Sequence, residues 1–469
     1  MPSPLGRALL SCLLIPASAH GKPPIPTPVE TPILGELDRL LLGTLYQDPR
    51  ADLGLKDALV DPRLRALIER HGLHLFGGPM LGCVTDSSAR VWVRTPGAAR
   101  VRVRCDGRKS EEVTTTARND FTALIDLDGL KPATTYRYDV LVDGVSAFDG
   151  DLAAFRTAPA KGQPAVVTAA FGGGARYNPS KEGIWDVIAD HRPDALLMLG
   201  DNVYIDEPHS RTKQRVHYYR RQLRPEYRRL VASSAVYAVY DDHDLGVNDS
   251  SGGPDPFKPD WKYASWKVFR ENWNNPAYGD PPERPGCWFD FSLGDVDFFM
   301  LDNRYYRDFK SGTMLGPDQK AWLFERLRAS DATFKVLASG TLWTEHADKG
   351  GKDSWWGVKE ERNEIFDFLD REQIGGVILL SADRHRTDVY QIARPNSYDL
   401  YEFETSKLTN DHTHPTKKEA LFSYNEGTFF GLLRFDTTKP DPEVTFQCVT
   451  AEDEVVYELT LPRSQLQAE

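Results

Sequence analysis

From Ala165 onward, short apolar runs alternate with segments of helical spacing, and this alternation constrains the fold more than any other feature of the chain. Runs of about four to eight apolar, β-branched or aromatic residues are typical of buried strands. The predicted strands are Ala195–Leu199, Val236–Tyr240, Val296–Leu301, Phe334–Ala338 and Gly376–Leu380. Between them, EGIWDVIADH, PDQKAWLFERLRA and KEERNEIFDFLDRE have helical periodicity. Strands alternating with helices predict a layered α/β domain, which we place at residues 165–461.

Polar side chains follow four of the predicted strands at the point where each strand ends. These groups are Asp201–Tyr204, Asp241–Asp244, Asp302–Arg304 and Ser381–His385. In α/β sheets, ligands bind outside the carboxyl ends of the strands. We therefore expect Asp, Asn, His, Tyr and Arg side chains from four separate segments to meet at one edge of the domain.

The densest of these groups, DDHD at 241–244, places three carboxylates beside an imidazole. The repulsion among these carboxylates would be unfavourable at a poorly hydrated site unless bound cations neutralise their charge. Oxygen and imidazole ligands suit Fe, Mn, Zn, Mg or Ca, and a metal pair about 3.5–4 Å apart can clamp a phosphoryl group. Because successive residues of an extended segment point to opposite sides, Asp242 is favoured as a ligand. Asp241 and Asp244 stay open between metal contact and a salt bridge or turn.

Several of these segments together resemble one protein family. LMLGDNVY, YDDHDLGVND, FFMLDNRYYR, MLGPDQKAWLFERLRASDATFKVLASG and LLSADRHRTDVY follow in the order found in the alkaline phosphatase D (PhoD-like) family of calcineurin-like metallophosphoesterases. The resemblance runs from about Ala165 to about Thr409. It implies a four-layer α/β/β/α catalytic domain that holds a binuclear metal centre.

The resemblance also implies a role for individual residues. Asp201 would bridge the metals, and Tyr204 would bind as a phenolate, with the remaining metal ligands being Asp242, Asn248, Asp383 and His385. His243 would act as general acid or transition-state stabiliser, and Arg304 would hold a phosphate oxygen. A planar guanidinium suits that contact because it bonds two oxygens at once. From the residues alone, Asp201 could instead cap a helix, and Arg304 could pair with a neighbouring carboxylate.

Two positions depart from the family pattern. The family's first strand usually ends in FGSC, whose Cys binds iron, whereas this chain has FGGG with Gly174 at the Cys position. Fe with Ca is implied by resemblance, and Mn or Zn becomes possible because the thiolate is missing. Ala382 replaces the usual Gly of the S-G-D-x-H segment, a change that we expect to be tolerated.

Two further segments allow more than one interpretation. His412 and His414 in NDHTHP resemble a GHxH metal motif of the wider superfamily, but they lie beyond the matched segment in a predicted loop. We therefore do not include them among the metal ligands. Trp355 and Trp356 either stack on substrate at the pocket mouth or pack against a helix.

The region before the α/β domain has a different pattern of apolar and polar residues. Residues 20–74 form a Pro-rich lead-in followed by helical spacing, and residues 75–159 alternate apolar and polar residues between turns, as in ARVWVRT and ARVRVRC. This alternation predicts a small β-sandwich, and LKPATTYRYDV resembles a fibronectin-III-like strand corner locked by a Tyr. Cys83 and Cys105 lie in this region and could pair or remain separate thiols.

The N-terminus predicts export. Residues 1–19 combine Arg7, a short apolar core and an Ala17-Ser18-Ala19 cleavage pattern, which is typical of a Sec-type signal peptide. No run of 18 apolar residues follows, so we expect no membrane span and a periplasmic or extracellular location. The formal net charge of −12 argues against a nucleic-acid surface.

Together these features predict an exported metal-dependent phosphoesterase. It would hydrolyse small-molecule or polymeric phosphate mono- or diesters by means of a metal-bound hydroxide at a binuclear centre. The missing Cys supports an alternative, a catalytically inactive PhoD-like protein that binds a surface or a polymer. The retention of seven family positions, Asp201, Tyr204, Asp242, His243, Asn248, Asp383 and His385, argues for the enzyme.

Overall fold

The computed structural model describes residues 34–148, 153–279, 284–347, 352–395 and 397–467. The predicted signal peptide, residues 1–19, and the Pro-rich lead-in lie outside the described residues. Within the described part of the chain, no helix has the length and apolar character that crossing a membrane requires.

The described chain begins with three helices, α1 (Leu34–Leu41), α2 (Leu55–Ala58) and α3 (Pro62–Arg70). Helix α3 starts as its sequence predicts, because Pro62 needs no hydrogen-bond donor there and Asp61 accepts a hydrogen bond from the backbone amide of Arg63 at 2.8 Å. The three helices bury their leucines against the side chains of Val216 and Tyr219. The segment thus packs onto the later domain.

In the described part of the range 77–156, nine strands form two antiparallel sheets. The first has the order β1-β2-β6, and the second has the order β4-β3-β7-β8, with β5 paired to β3 and β9 paired to β7. The strands are β1 (Gly77–Gly82), β2 (Ser88–Arg94), β3 (Arg100–Cys105), β4 (Arg108–Lys109), β5 (Val113–Thr114), β6 (Thr122–Asp128), β7 (Thr135–Val142), β8 (Val145–Ser146) and β9 (Ala153–Arg156). Buried and exposed residues alternate along β3 and β6, because one face of each strand packs inward.

Three details of these two sheets bear on the sequence expectations. The hydroxyl of Tyr136 accepts a hydrogen bond from the amide of Lys131 at 2.8 Å, as a Tyr that locks a strand corner would. Cys83 and Cys105 are separate thiols, so the structure does not form the disulfide that the sequence left open. The fibronectin-III-like description and the domain boundaries stay predictions.

A six-stranded sheet carries the first half of the α/β domain. Its order is β12-β11-β10-β20-β21-β22, with β10 to β12 parallel and the other pairs antiparallel. The strands are β10 (Val166–Gly172), β11 (Ala195–Leu199), β12 (Ala235–Val239), β20 (Phe429–Asp436), β21 (Glu443–Thr450) and β22 (Val455–Pro462). Strands β11 and β12 are buried along their whole length, which explains their continuous apolar sequences.

A seven-stranded sheet carries the second half. Its order is β13-β14-β15-β16-β18-β17-β19, and β14, β15, β16 and β18 are parallel. The strands are β13 (Phe289–Leu293), β14 (Val296–Met300), β15 (Phe334–Ala338), β16 (Val377–Ser381), β17 (Thr387–Ile392), β18 (Leu400–Thr405) and β19 (Phe422–Tyr424). The two large sheets contact each other through aromatic pairs, since Phe403 stacks on Phe446 with ring centroids 4.4 Å apart.

Seven α-helices of the described chain lie between these strands. They are α4 (Ile184–His191), α5 (Arg211–Gln222), α6 (Pro225–Ser233), α7 (Asp242–Leu245), α8 (Asp260–Asn272), α9 (Gly316–Ala329) and α10 (Lys359–Arg371). Helices α4, α5, α6, α9 and α10 connect parallel neighbours, and α7 and α8 lie between the two sheets in the chain. The five predicted strands are present, each within one residue of its expected bounds. The structure is therefore a mixed α/β fold with several sheets, as expected, and the four-layer order stays a prediction.

Candidate functional site

The polar segments that follow β11, β12 and β16 meet at one pocket of 680 Å³. Of the residues expected at the site, those that line this pocket are Tyr204, His243, Asn248, Asp383 and His385. Asp201 and Asp242 are buried, 2% and 1% exposed, next to them. The structure therefore brings together seven of the eight residues that the sequence singled out.

Carboxylate and imidazole atoms form three compact groups at this site. The groups are Asp201 with Asp242 and His243, Asp241 with Asp242 and Asp383, and Asp242 with Asp249 and Asp353. Within each group the possible ligand atoms lie no more than 4.8 Å apart. Asp242 belongs to all three, so it stands at the centre of the acidic cluster, and Asp241 joins it as a candidate ligand.

The electrostatics of this cluster favour bound cations. Burial and the charges of Asp242 and Asp241 raise the pKa of Asp201 well above its usual range. Burial likewise raises the pKa of Asp241, although Arg304 opposes it. Among the described residues, Asp201 Oδ1 and Asp241 Oδ2 are buried without a hydrogen-bond partner. Buried carboxylate oxygens without partners are costly, so this donor set fits metal ions.

Asp242 differs from its neighbours in being held by protein groups. It accepts hydrogen bonds from the amides of His243 at 3.0 Å and Asp249 at 2.6 Å. Burial raises the pKa of Asp242, but the charges of Arg304 and His243 together with the hydrogen bond from the Asp249 amide outweigh it, so the pKa falls below its usual range. The carboxylate at the centre of the cluster is thus kept ionised and fixed in orientation.

Asp244 has a structural task. Its carboxylate accepts hydrogen bonds from the amides of Asn202 at 2.8 Å and Val203 at 3.2 Å, and from the amide of Asp241 at 3.2 Å. It therefore ties the loop after β11 to the loop after β12. Of the two interpretations left open from the sequence, the geometry favours the turn.

The backbone is unusual where the strands end. Asp201 has φ +53°, Tyr204 +51°, Asp383 +87° and His385 +49°, values that residues with a Cβ rarely adopt. Such outliers cluster at functional sites, where the surrounding structure holds them in place. Residues 383–385 accordingly do not form an extended segment, and Arg384 lines the same pocket as both its neighbours.

Tyr204 connects two histidines of the pocket. Its ring stacks on His243 with centroids 4.5 Å apart, and its hydroxyl lies 3.2 Å from His385 Nε2. Burial and the Asp201 charge raise the pKa of Tyr204 well above its usual range, so a phenolate here requires a cation close by. Burial lowers the pKa of His385 to about 3, which keeps its imidazole neutral and able to bind a metal.

Asp206 is a site residue that the sequence analysis missed. Its Oδ1 lies 2.6 Å from His243 Nδ1. The amides of Ile205 and Asp206 both donate to the carbonyl oxygen of His243, at 2.8 and 3.2 Å. A carboxylate two residues after Tyr204 was the available signal, but nothing in the sequence indicates that this loop folds against His243.

Arg304 lies away from the pocket. Its side chain is fully buried, forms ion pairs with Asp241 and Asp353, and lies 3.7 Å from Asp242. The geometry favours the ion-pair interpretation over the expected contact with a phosphate oxygen. Asp353, which the sequence analysis also missed, binds Arg307 as well.

The NDHTHP segment is a loop, as predicted, and it lies at the pocket. His412 and His414 have ring centroids 5.2 and 5.8 Å from that of His385. Asn410 donates a hydrogen bond to the Tyr204 hydroxyl at 2.6 Å. These three residues line the pocket although they are distant in sequence from the DDHD segment, so only the fold brings them there.

The tryptophans of segment 353–364 are structural. Trp355 is fully buried, stacks on Trp343 with centroids 4.2 Å apart, and donates to Ser339 at 3.0 Å. Trp356 lies under the guanidinium of Arg362. The helix-packing interpretation is therefore favoured over substrate stacking.

Gly174 lies beside His385, where the family's Cys was expected. Its φ is +64°, and a Cβ at this position would lie 2.0 Å from Ser406 O and 3.2 Å from His385 Nδ1. This backbone does not accommodate a Cys. The metal ligands of this chain are therefore sought among oxygen and nitrogen atoms.

Comparisons with known proteins identify the family and the fold of this chain. The model of the PhoD-like phosphatase family matches residues 169–431, and a domain of unknown function, DUF7800, matches residues 73–158. Alkaline phosphatase D of Bacillus subtilis (strain 168) is 23% identical over 311 residues, which are 56% of this chain and 52% of that protein. The chain thus spans about half the length of this relative.

Two solved structures share the fold. A structure of PhoD has a TM-score of 0.67 at 17% identity, covering 83% of this chain and 92% of that one. Purple acid phosphatase PPD1 from yellow lupin (Lupinus luteus) seeds has a TM-score of 0.62 at 12% identity, covering 82% and 75%. At these identities the likeness concerns the fold, whereas the family match spans more than half of the chain. The chain belongs to the PhoD-like phosphatase family.

Proposed function

We propose that this protein is a metal-dependent phosphoesterase with a binuclear or larger metal centre. The observation that carries the proposal is the position of Asp242, shared by three groups of potential ligand atoms no more than 4.8 Å apart. These groups border a 680 Å³ pocket in a PhoD-like chain. Arg304 and Arg307 offset part of the charge of the acidic cluster, and metal ions would neutralise the remaining carboxylates.

The proposed metal ligands are the six residues that the family resemblance implies, together with one further carboxylate of the acidic groups. They are Asp201, Tyr204, Asp242, Asn248, Asp383 and His385, with Asp241 added by the structure. Bound cations would supply Lewis-acid catalysis, lowering the pKa of a water molecule and withdrawing charge from phosphoryl oxygens. With Gly174 in place of a thiolate, hard or borderline cations such as Fe, Mn, Zn and Ca fit the set.

His243 would protonate the leaving group. Its Nδ1 is engaged by Asp206, so Nε2 is the ring nitrogen left for the ester oxygen. The stacked Tyr204 ring restricts the imidazole plane. His243 thus combines a fixed orientation with a proton at a defined atom.

Arg304 would act indirectly. Its ion pairs with Asp241 and Asp353 hold the loops after β12 and β14 together and keep Asp241 in place. We therefore revise its proposed role from phosphate contact to positioning of the acidic cluster.

The substrates would be phosphate mono- or diesters, small or polymeric. The pocket is large enough for an ester arm beyond the phosphoryl group. Export through the signal peptide at residues 1–19 is part of this proposal and places the substrate outside the cytoplasm. The inactive surface-binding alternative is not favoured, since a site without catalysis has no need of costly buried carboxylates.

Hydrolysis assays test the proposal directly. Protein from His20 onward would be stripped with chelator, reloaded with Fe, Mn, Zn or Ca, and assayed with bis(p-nitrophenyl) phosphate and p-nitrophenyl phosphate. Asp201→Asn and Asp242→Asn remove ligands, and Asp128→Asn makes the same change on an exposed strand end. We expect metal-dependent turnover that both site variants lose and the control keeps.

The outcomes separate the alternatives. Turnover unchanged in Asp242→Asn at equal metal content would refute the proposed site. A protein that neither retains metal near stoichiometry nor hydrolyses either ester would refute the proposed function.

A further inference from the structure

Arg384 is a buried pocket residue that the proposed mechanism does not use. Its side chain lines the pocket although the residue is only 6% exposed. Among the described residues, its guanidinium makes one long hydrogen bond, from Nη2 to His414 Nδ1 at 3.5 Å, and Nε has no partner. It forms no ion pair with a carboxylate of the described chain. A buried guanidinium with N–H donors that lack hydrogen-bond partners destabilises the protein unless a ligand accepts those hydrogen bonds.

Other arginines around the site are committed to the protein. Arg304 and Arg307 are bound to Asp353, and Arg220 pairs with Asp38. Arg176 also lines the pocket, but it is an exposed side chain. Arg384 is therefore the buried guanidinium of the described pocket that retains donors for an anion.

The backbone directs Arg384 into the pocket. In an extended segment its side chain would point away from those of Asp383 and His385. Instead, the left-handed conformations of both neighbours, φ +87° and +49°, place all three side chains on the pocket surface. A strained loop with this result is more readily explained by a function for the middle residue than by packing.

We propose that Arg384 forms an anion subsite that binds non-bridging oxygens of the substrate's phosphoryl group. This inference rests on the proposed function. The planar guanidinium offers parallel N–H donors that match two phosphoryl oxygens, which a Lys cannot reproduce. Arg384 thereby takes the phosphate contact that the buried Arg304 cannot make.

Inorganic phosphate is the probe that tests this subsite. Its affinity for metal-loaded wild type, Arg384→Gln and Arg384→Lys would be measured by calorimetry, alongside metal content and the kcat and KM for both nitrophenyl esters. We expect Arg384→Gln to weaken phosphate binding on the order of 10- to 100-fold and Arg384→Lys to weaken it less. Metal content should stay at the wild-type level in both variants.

Arg176→Gln is the matched control, because it removes the same charge from the exposed rim of the same pocket. It should keep phosphate affinity within about twofold. Equal losses in Arg176→Gln and Arg384→Gln would show a general charge effect and overturn the subsite. The subsite would also be overturned if Arg384→Gln bound phosphate as tightly as wild type, or if wild type bound no phosphate.

The two proposals fail in different ways. Wild type that binds phosphate without hydrolysing any ester would refute the proposed function, while the comparison of phosphate affinities would still decide the role of Arg384. If Arg384→Gln folds poorly, Arg384→Lys keeps charge and length, and phosphate affinity equal to wild type in that variant would exclude bidentate binding.

Discussion

The Cβ of Ala382 lies 2.7 Å from the position that a Cβ would take on Gly173. Two non-bonded carbon atoms pack at about 3.5–4.0 Å, so only one of these positions can carry a side chain here. The family pattern has Ser at the position of Gly173 and Gly at the position of Ala382, whereas this chain has Gly at the former and Ala at the latter. The two departures therefore compensate each other across the site.

This relationship predicts a coupled pair of substitutions. Gly173→Ser alone should lower the free energy of unfolding by about 1–3 kcal/mol, because its Cβ overlaps Ala382. The double variant Gly173→Ser with Ala382→Gly should recover most of that loss. Denaturant unfolding of both single variants and the double variant measures the coupling, and strictly additive effects would contradict the relationship.

Restoring the family's Cys should not restore a metal ligand. Gly174→Cys places a Cβ 2.0 Å from Ser406 O at φ +64°, so we expect a loss of about 2 kcal/mol or more in unfolding free energy. Gly174→Ala should lose nearly as much, because the cause is the Cβ and not the sulfur. A Cys variant with wild-type stability and a thiolate-to-iron absorption band would show that the backbone adapts.

Asp206 should control His243 without holding metal. Asp206→Asn replaces the partner of His243 Nδ1 and should lower kcat about 10- to 100-fold, because the imidazole loses its orientation and its favoured proton position. The KM and the metal content should change little. Steady-state kinetics and metal analysis of the same preparation measure both quantities.

The control for Asp206 is the adjacent residue. Glu207→Gln makes the same change of charge at a side chain that pairs with Lys213 at 2.6 Å. It should leave kcat near the wild-type value. If both variants lose activity equally, the effect belongs to the charge of the loop and not to the hydrogen bond with His243.

Metal removal should destabilise the protein. Without cations, burial and the negative charge of Asp242 oppose the ionisation of Asp201 and Asp241 and raise both pKa values. Metal at 100 times its dissociation constant should add about 3 kcal/mol to the free energy of unfolding. Thermal unfolding with and without chelator measures this effect, which should shrink in Asp201→Asn. An identical chelator effect in that variant would place the metal elsewhere.

Lys262 should give a pH-dependent contribution to stability. Burial lowers its pKa to about 8, and its ammonium donates to the carbonyl oxygens of Gly252, Gly253 and Tyr305. Between pH 8 and the ordinary lysine value of about 10.5, the unfolded chain binds more protons, so stability relative to Lys262→Met should rise with pH. Denaturant unfolding at both ends of that range tests the sign, and a constant difference would contradict it.

Much of the fold could be predicted because the hydrophobic pattern of neighbouring residues indicates which segments form buried strands and helices. The strand Ala195–Leu199 is buried on both faces, so each of its residues is apolar and the sequence shows a continuous hydrophobic run. The ends of such strands carry the polar residues, so Asp201 and Asp383 could be assigned to one edge of the domain. Arg304 could not be judged in this way, because its neighbours along the chain do not reveal Asp353, which neutralises it.

The sequence by itself determined the class of the fold, the five central strands and the acidic, histidine-containing segments at their ends. Only the tertiary structure decided which of these side chains face the pocket. It brought Asp206 to His243, placed Arg304 inside the protein and turned Arg384 outward into the pocket. The physical reason is that periodicity and strand ends are properties of neighbouring residues, whereas ion pairs and loop conformations depend on residues that are distant in sequence.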